Sequence, residues 1–110
     1  MARLVVIATR EGEIIDLEGD VSEILGWNPA ELVGLSVTTI IPFKYRERHA
    51  AGWERWTKTG VKRAMGSWLE VSARRKDGNT IPVTFCVTER GGNLEAVIET
   101  PADPTLPPIE

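Results

Sequence analysis

The stretch Glu70-Val71-Ser72-Ala73-Arg74-Arg75-Lys76-Asp77-Gly78-Asn79-Thr80-Ile81-Pro82-Val83 reads as two strands folded about a tight turn. Before the turn the chemistry alternates with a period of two. Ser67, Leu69, Val71 and Ala73 share one face, and Trp68, Glu70, Ser72 and Arg74 share the other. Asp77-Gly78-Asn79 reverses the chain, after which Val83, Phe85 and Val87 oppose Thr84, Cys86 and Thr88. Pro82 has no amide proton to donate, so it is expected near the start of its strand or at a bulge. Gly91-Gly92-Asn93 makes a further hairpin into Leu94 to Glu99, with Leu94, Ala96 and Ile98 facing inward.

Upstream of these strands the period changes. From Phe43 to about Lys58 the residues Tyr45, His49, Gly52, Trp53 and Trp56 fall on one stripe of a helix, with charged residues mostly elsewhere. Three shorter helical pieces come before it. Asp20 and Ser22 are expected to cap the first, which ends at Gly26. Asn28 caps the second, with Pro29 at its first position and Gly34 at its end, and Ser36 caps the third, which breaks before Pro42. At the beginning, Leu4 to Ala8 and Glu13 to Leu17 form a hairpin around Thr9-Arg10-Glu11-Gly12. The order is two strands, three short helices, one long helix and three strands. It predicts an α+β domain over residues 1–100, with a five-stranded antiparallel sheet covered by helices on one face, and a proline-rich tail or linker over 101–110.

Composition narrows the function. The 110 residues, 42% hydrophobic and 26% charged, suffice for one core. A net charge of -3 argues against a nucleic-acid surface. The cluster Arg74, Arg75 and Lys76 reads as a solvated loop. Cys86, the single cysteine, cannot form an internal disulfide and suits a reducing cytoplasm. The apolar run Leu4 to Ala8 is far below the ~20 residues that span a bilayer, so no membrane association is expected. With one histidine, no phosphate loop and no nucleophile beside a base, no catalytic residues are expected and the chain is not read as an enzyme.

The segments Gly12-Glu13-Ile14-Ile15, Leu25-Gly26-Trp27-Asn28-Pro29-Ala30-Glu31-Leu32-Val33-Gly34, Ile41-Pro42, His49 and the hairpin Glu70 to Val83 together resemble the PAS family over residues 3 to 99. The resemblance implies a sensory or signalling domain that holds a small ligand between the long helix and the sheet, or docks a partner protein. The implied pocket is lined by His49, Trp53, Trp56, Leu69, Val71, Phe85, Val87 and Ile98. It departs from many members at Glu99-Thr100-Pro101, where an Asp-Ile-Thr-like motif leads to a signalling helix, and it begins almost at the first strand, without room for a cap helix.

Around the long helix the chain is most similar to haem-binding PAS oxygen sensors. That similarity makes His49 the axial ligand of a haem iron in an alternative reading, with Arg55 and Arg63 as carboxylate partners for its propionates. Leu69 replaces the family's oxygen-stabilising arginine, and Phe85 is larger than the usual distal residue. A flavin is not expected, because the Asn-Cys-Arg-Phe-like motif is missing and Cys86 lies on a strand. A further alternative is a ligand-free interaction module: Val5, Ile7, Trp68 and Val97 would point away from the helices and form an interface for homodimerisation or a signalling partner.

Overall fold

The computed structural model describes residues 2–59, 66 and 68–100, with 55–59 described as helix backbone alone. The elements are β1 (Arg3–Ala8), β2 (Ile14–Gly19), α1 (Val21–Leu25), α2 (Pro29–Leu32), a 3-10 turn (Val37–Ile40), α3 (Phe43–Thr59), β3 (Trp68–Arg74), β4 (Thr80–Arg90) and β5 (Asn93–Glu99). Every strand pairing is antiparallel, and the order is β2-β1-β5-β4-β3. The α+β expectation therefore holds. Pairing of β1 with β5 closes the two ends of the chain into one sheet, with Leu4 opposite Ile98 and Val6 opposite Ala96. Thr100 extends this seam: its amide donates to the Ala2 carbonyl at 3.0 Å, and its hydroxyl accepts from the Ala2 amide at 2.9 Å.

Strand register sorts the side chains into two faces. Leu69, Phe85, Ile98 and Leu4 form one row across four strands on the inner face, and Val87, Ala96, Val6 and Leu17 form another. Against the β1 side of this face pack Val21, Ile24, Leu25 and Leu32 from the short helices, and with Leu4 and Ile14 they are the largest fully buried side chains. Burying each contributes roughly 1.5–3 kcal/mol. The core thus sits under α1 and α2 rather than under the long helix.

Helices this short have little stability of their own, so their ends matter. At α2 the Asn28 Oδ1 accepts from the Ala30 amide and Glu31 Oε1 accepts from the Asn28 amide, both at 3.0 Å, completing a capping box. The caps expected for α1 are not made. Asp20 precedes that helix, but its Oδ2 accepts from the Arg3 amide at 3.1 Å, and the Ser22 hydroxyl donates to the Trp27 carbonyl at 3.0 Å. Both side chains found backbone partners brought near by the β1–β2 pairing and by the next loop. Gly26 ends α1 in the left-handed conformation, with φ 75°.

The expectation of a solvated loop at Arg74-Arg75-Lys76 is overturned at Arg75 and Lys76. Arg75 Nη1 donates to the Glu23 and Ile24 carbonyls at 3.2 and 2.7 Å, and the Lys76 amide donates to the Leu25 carbonyl at 2.9 Å. These are consecutive carbonyls at the end of α1, which lack intrahelical donors. No basic residue within α1 serves its last turn, so the β3–β4 turn does. Lys76 Nζ also meets Glu31 Oε2 at 2.8 Å and lies 5.1 Å from the centre of the Trp27 ring. The turn fits closely, since a Cβ on Gly26 would lie 3.5 Å from Arg75 Nη2 and 3.7 Å from Lys76 Cβ.

Pro82 sits three residues into β4, opposite Ser72 of β3, whereas pairing with β5 begins only at Thr84. Its missing donor therefore breaks no rung on the β5 side. At the other edge, the Asp20 amide bonds to the Arg3 carbonyl, so alternation turns the Leu17 amide outward. Asp16 Oδ1 accepts it at 2.9 Å.

Two outcomes are expected from this clamp. Arg75→Ala should lower unfolding free energy by about 1–2 kcal/mol in urea, because it removes both donors to the Glu23 and part-buried Ile24 carbonyls, while Arg74→Ala should cost less. The Lys76 ammonium and then the Asn28 amide hold the Glu31 carboxyl below its ordinary value of 4.5. A pKa lower in the folded state means stabilisation that is present above about pH 4.5 and lost as pH falls through the folded value. The stability gap between wild type and Glu31→Gln, measured by urea unfolding at pH 7 and pH 3, should accordingly shrink at the acidic end.

Candidate functional site

The long helix α3 is polar apart from one stripe, and two of its ties to the domain are made by side chains that donate to main-chain carbonyls. At its start, Arg46 Nε donates to the Ile41 carbonyl at 3.1 Å and its Nη2 to the Thr38 carbonyl at 3.0 Å. The guanidinium carbon stands 4.0 Å from the centre of the Phe43 ring, which is 72% exposed. Arg46 thus secures the end of the 3-10 turn, a structural task. Tyr45, His49, Gly52 and Trp53 are all half-buried, as the stripe predicts.

Trp53 makes the second tie. Its Nε1 donates to the Arg10 carbonyl at 2.6 Å, and its Cζ2 lies 3.8 Å from where a Cβ on Gly12 would be. The indole is therefore drawn to the β1–β2 turn. The His49 ring packs beside it, 5.4 Å between centroids and tilted by 35°. The participation of Arg10 and Gly12 was not legible in the residue pattern, because the acceptor is a main-chain carbonyl.

The inner face of β3, β4 and β5 carries a second set of apolar residues. Leu69, Val71, Phe85, Val87 and Ala96 are only half-buried, whereas Ala73, Val83 and Ile98 on the same face are fully buried. Ile98 pairs with Leu4 and belongs to the buried core. The half-buried group forms an apolar floor, with Leu69 opposite Phe85 and Val87 opposite Ala96. No charged side chain belongs to these rows. The side chains of Arg55 and Trp56, and Arg63 as a whole, lie outside the described residues. Among the described residues, no group of three or more His, Cys, Asp or Glu side chains could hold a metal ion. Nor is any described helix long and apolar enough to cross a membrane.

On the opposite face the register brings Trp68, Cys86, Val97 and Val5 into a single row. Trp68 is 52% exposed, and the other three are half-buried. Ile7 shares this face one row further along, opposite Glu95. The four residues expected on the outer face are all there. Cys86 points away from the apolar floor, as its strand parity requires.

No protein-family model matches the sequence. Over 86 residues the chain is 34% identical to an uncharacterised protein of Azorhizobium caulinodans, a match covering 77% of this chain and 12% of that protein. Over 77 residues it is 30% identical to the sensor protein FixL of Bradyrhizobium diazoefficiens, covering 69% of this chain and 15% of FixL. The chain thus spans a small part of these curated relatives. Among solved structures it is similar to a domain of a sensory box sensor histidine kinase/response regulator from Geobacter sulfurreducens, with a TM-score of 0.69 at 14% identity over 88% of this chain and 82% of that one. It is also similar to the PAS domain of the Cronobacter turicensis quorum-sensing receptor RpfR in complex with BDSF, with a TM-score of 0.67 at 18% identity over 89% and 92% of the two chains.

Trp53→Phe removes the donor to Arg10 together with part of the bicyclic ring that lies beside Gly12 and His49. It should lower stability in urea unfolding by at least the ~1 kcal/mol typical of one hydrogen bond.

Proposed function

This chain has the fold of a PAS domain, and we propose that it is a non-catalytic sensory module that holds a small, largely apolar molecule between α3 and the inner face of β3, β4 and β5. The half-buried floor of Leu69, Val71, Phe85, Val87 and Ala96 carries this reading. Apolar surface left half-covered on the inner face of the sheet, together with a helix that carries His49 and Trp53, suits a ligand with an apolar body and one polar group. The RpfR domain, captured with BDSF, is a structural neighbour that holds a small molecule. Signal would leave through a partner protein, with a second copy of the chain as the first candidate, docking on the outer sheet face at Val5, Ile7, Trp68 and Val97. A cytoplasmic setting accompanies the proposal and suits the thiol of Cys86.

Mass spectrometry of purified protein after denaturation should release a co-purifying small molecule. Titration with dodecanoic acid, followed by tryptophan fluorescence, should saturate. Val87→Trp, which fills the floor with a larger ring, should weaken that binding at least tenfold while circular dichroism stays unchanged. Equal binding by wild type and Val87→Trp would exclude this site.

A second reading is haem held through His49. A half-buried imidazole on the stripe that faces the apolar floor, together with the local likeness to FixL, favours it. The residues around it fit less well: Trp53 packs on the imidazole while held by Arg10, Phe85 occupies the floor, and Leu69 offers no donor to a bound gas. An absorption spectrum after haem reconstitution decides the matter. Absence of a Soret band, or a band that His49→Ala leaves unaltered, rejects the axial role.

A further inference from the structure

We infer that Phe43, Arg46 and Arg74 together dock a short acidic segment of a partner protein, with a carboxylate on the guanidiniums and an apolar side chain on the phenylalanine ring. Neither the apolar floor nor the outer row of the sheet contributes to this surface. Phe43 opens α3 and, at 72%, is the most exposed large apolar side chain among the described residues. A single exposed ring is ordinary. This one differs in what stands beside it: the Arg46 guanidinium carbon is 4.0 Å from the ring centre and that of Arg74 is 5.7 Å away. The start of a helix and the end of an edge strand thus converge on one ring.

The two guanidiniums are held differently. Arg46 is fixed by the Ile41 and Thr38 carbonyls, which occupy its Nε and Nη2 and leave Nη1 unused. The Arg74 side chain makes no hydrogen bond among the described residues. Its Nη2 lies 3.8 Å from where a Cβ on Gly78 would be, so the group spans the space between the β3–β4 turn and the start of α3. Arg75 and Lys76, next in the chain, are engaged by α1 and by Glu31. No carboxylate comes within ion-pair distance of Arg46 or Arg74 among the described residues. In a chain with a net charge of -3, two adjacent cations are left without an anion.

That arrangement specifies its occupant. A guanidinium presents its donors as a planar fork that fits a carboxylate with two parallel bonds, and it can do so while one face stays on an aromatic ring. The exposed part of the Phe43 ring supplies apolar contact. The occupant therefore carries a carboxylate and an apolar side chain close together. Charges farther than about 8 Å are screened at physiological ionic strength, so the local cations, rather than the net charge, decide what approaches. Exposed Glu47 follows one turn along α3, and exposed Glu70 stands four residues before Arg74 on β3. A broad anionic surface, such as a membrane or a nucleic acid, would meet like charge at these margins. A short segment can occupy the three side chains alone.

The test is fluorescence anisotropy of a fluorescein-labelled nonapeptide of alternating glutamate and leucine, titrated with the whole chain at physiological ionic strength. Wild type should bind it and ignore the lysine and leucine counterpart. Arg74→Glu should weaken binding about tenfold, and Phe43→Ala about threefold, with circular dichroism spectra unchanged. Arg90→Glu alters the net charge by the same amount at a residue that pairs with Glu95 on the β4–β5 hairpin, and it should leave the affinity within about twofold. Absence of peptide binding, or equal weakening by Arg74→Glu and Arg90→Glu, overturns the site. Wild-type affinity in Phe43→Ala overturns the part given to the ring. Binding to phosphatidylserine vesicles that Arg74→Glu abolishes, with no binding of the peptide, would assign these side chains to a membrane and overturn the inference as well.

Discussion

The guanidinium of Arg75 on the last carbonyls of α1 is the contact on which the remaining architecture depends. A five-residue helix cannot sustain itself, and the carbonyl groups at its end have no intrahelical donors. Their donors come from a turn about fifty residues further along the chain. The β3–β4 hairpin and the α1–α2 segment are thereby made conditional on each other. Since α1 and α2 supply Val21, Ile24, Leu25 and Leu32 to the core, the clamp also sets where the fully buried part of the inner face ends. Glu31 joins both halves of this arrangement: one carboxylate oxygen caps α2 and the other holds Lys76 of the turn.

Where that core ends, the candidate site begins. The long helix is fastened by side chains that donate to main-chain carbonyls, Arg46 to the 3-10 turn and Trp53 to the β1–β2 turn. Trp53, which packs beside His49, also joins the helix to a surface turn.

Much of this was legible in the residues, for a definite physical reason. Alternation with a period of two assigns faces directly, so Leu69, Val71, Phe85 and Val87 fell inward and Val5, Ile7, Trp68 and Val97 outward, as observed. Asn28-Pro29 announced α2 because side-chain capping is a local matter. Depth was not legible. Ile98 shares the parity of the floor but is buried, because its cross-strand neighbour Leu4 lies under α1. Nor could the tasks of Asp20, Arg75 and Trp53 be read, since each bonds to backbone delivered by distant pairing, and a carbonyl leaves no trace in the alphabet of side chains. The PAS-like run Arg75-Lys76-Asp77-Gly78 was correctly weighted for the fold, yet its physical work is to hold α1.

The bond from the Leu17 amide to Asp16 Oδ1 has a consequence beyond its own strand. An outermost strand with an unoccupied donor invites another chain to continue the ladder, and repeated additions of that kind lead to fibres. Here the donor is taken by the neighbouring carboxylate, while the backbone of Ile14 is engaged by Gly34 and Leu35. At the β2 margin a local intramolecular bond thus takes up one of the outward donors that a further strand would need.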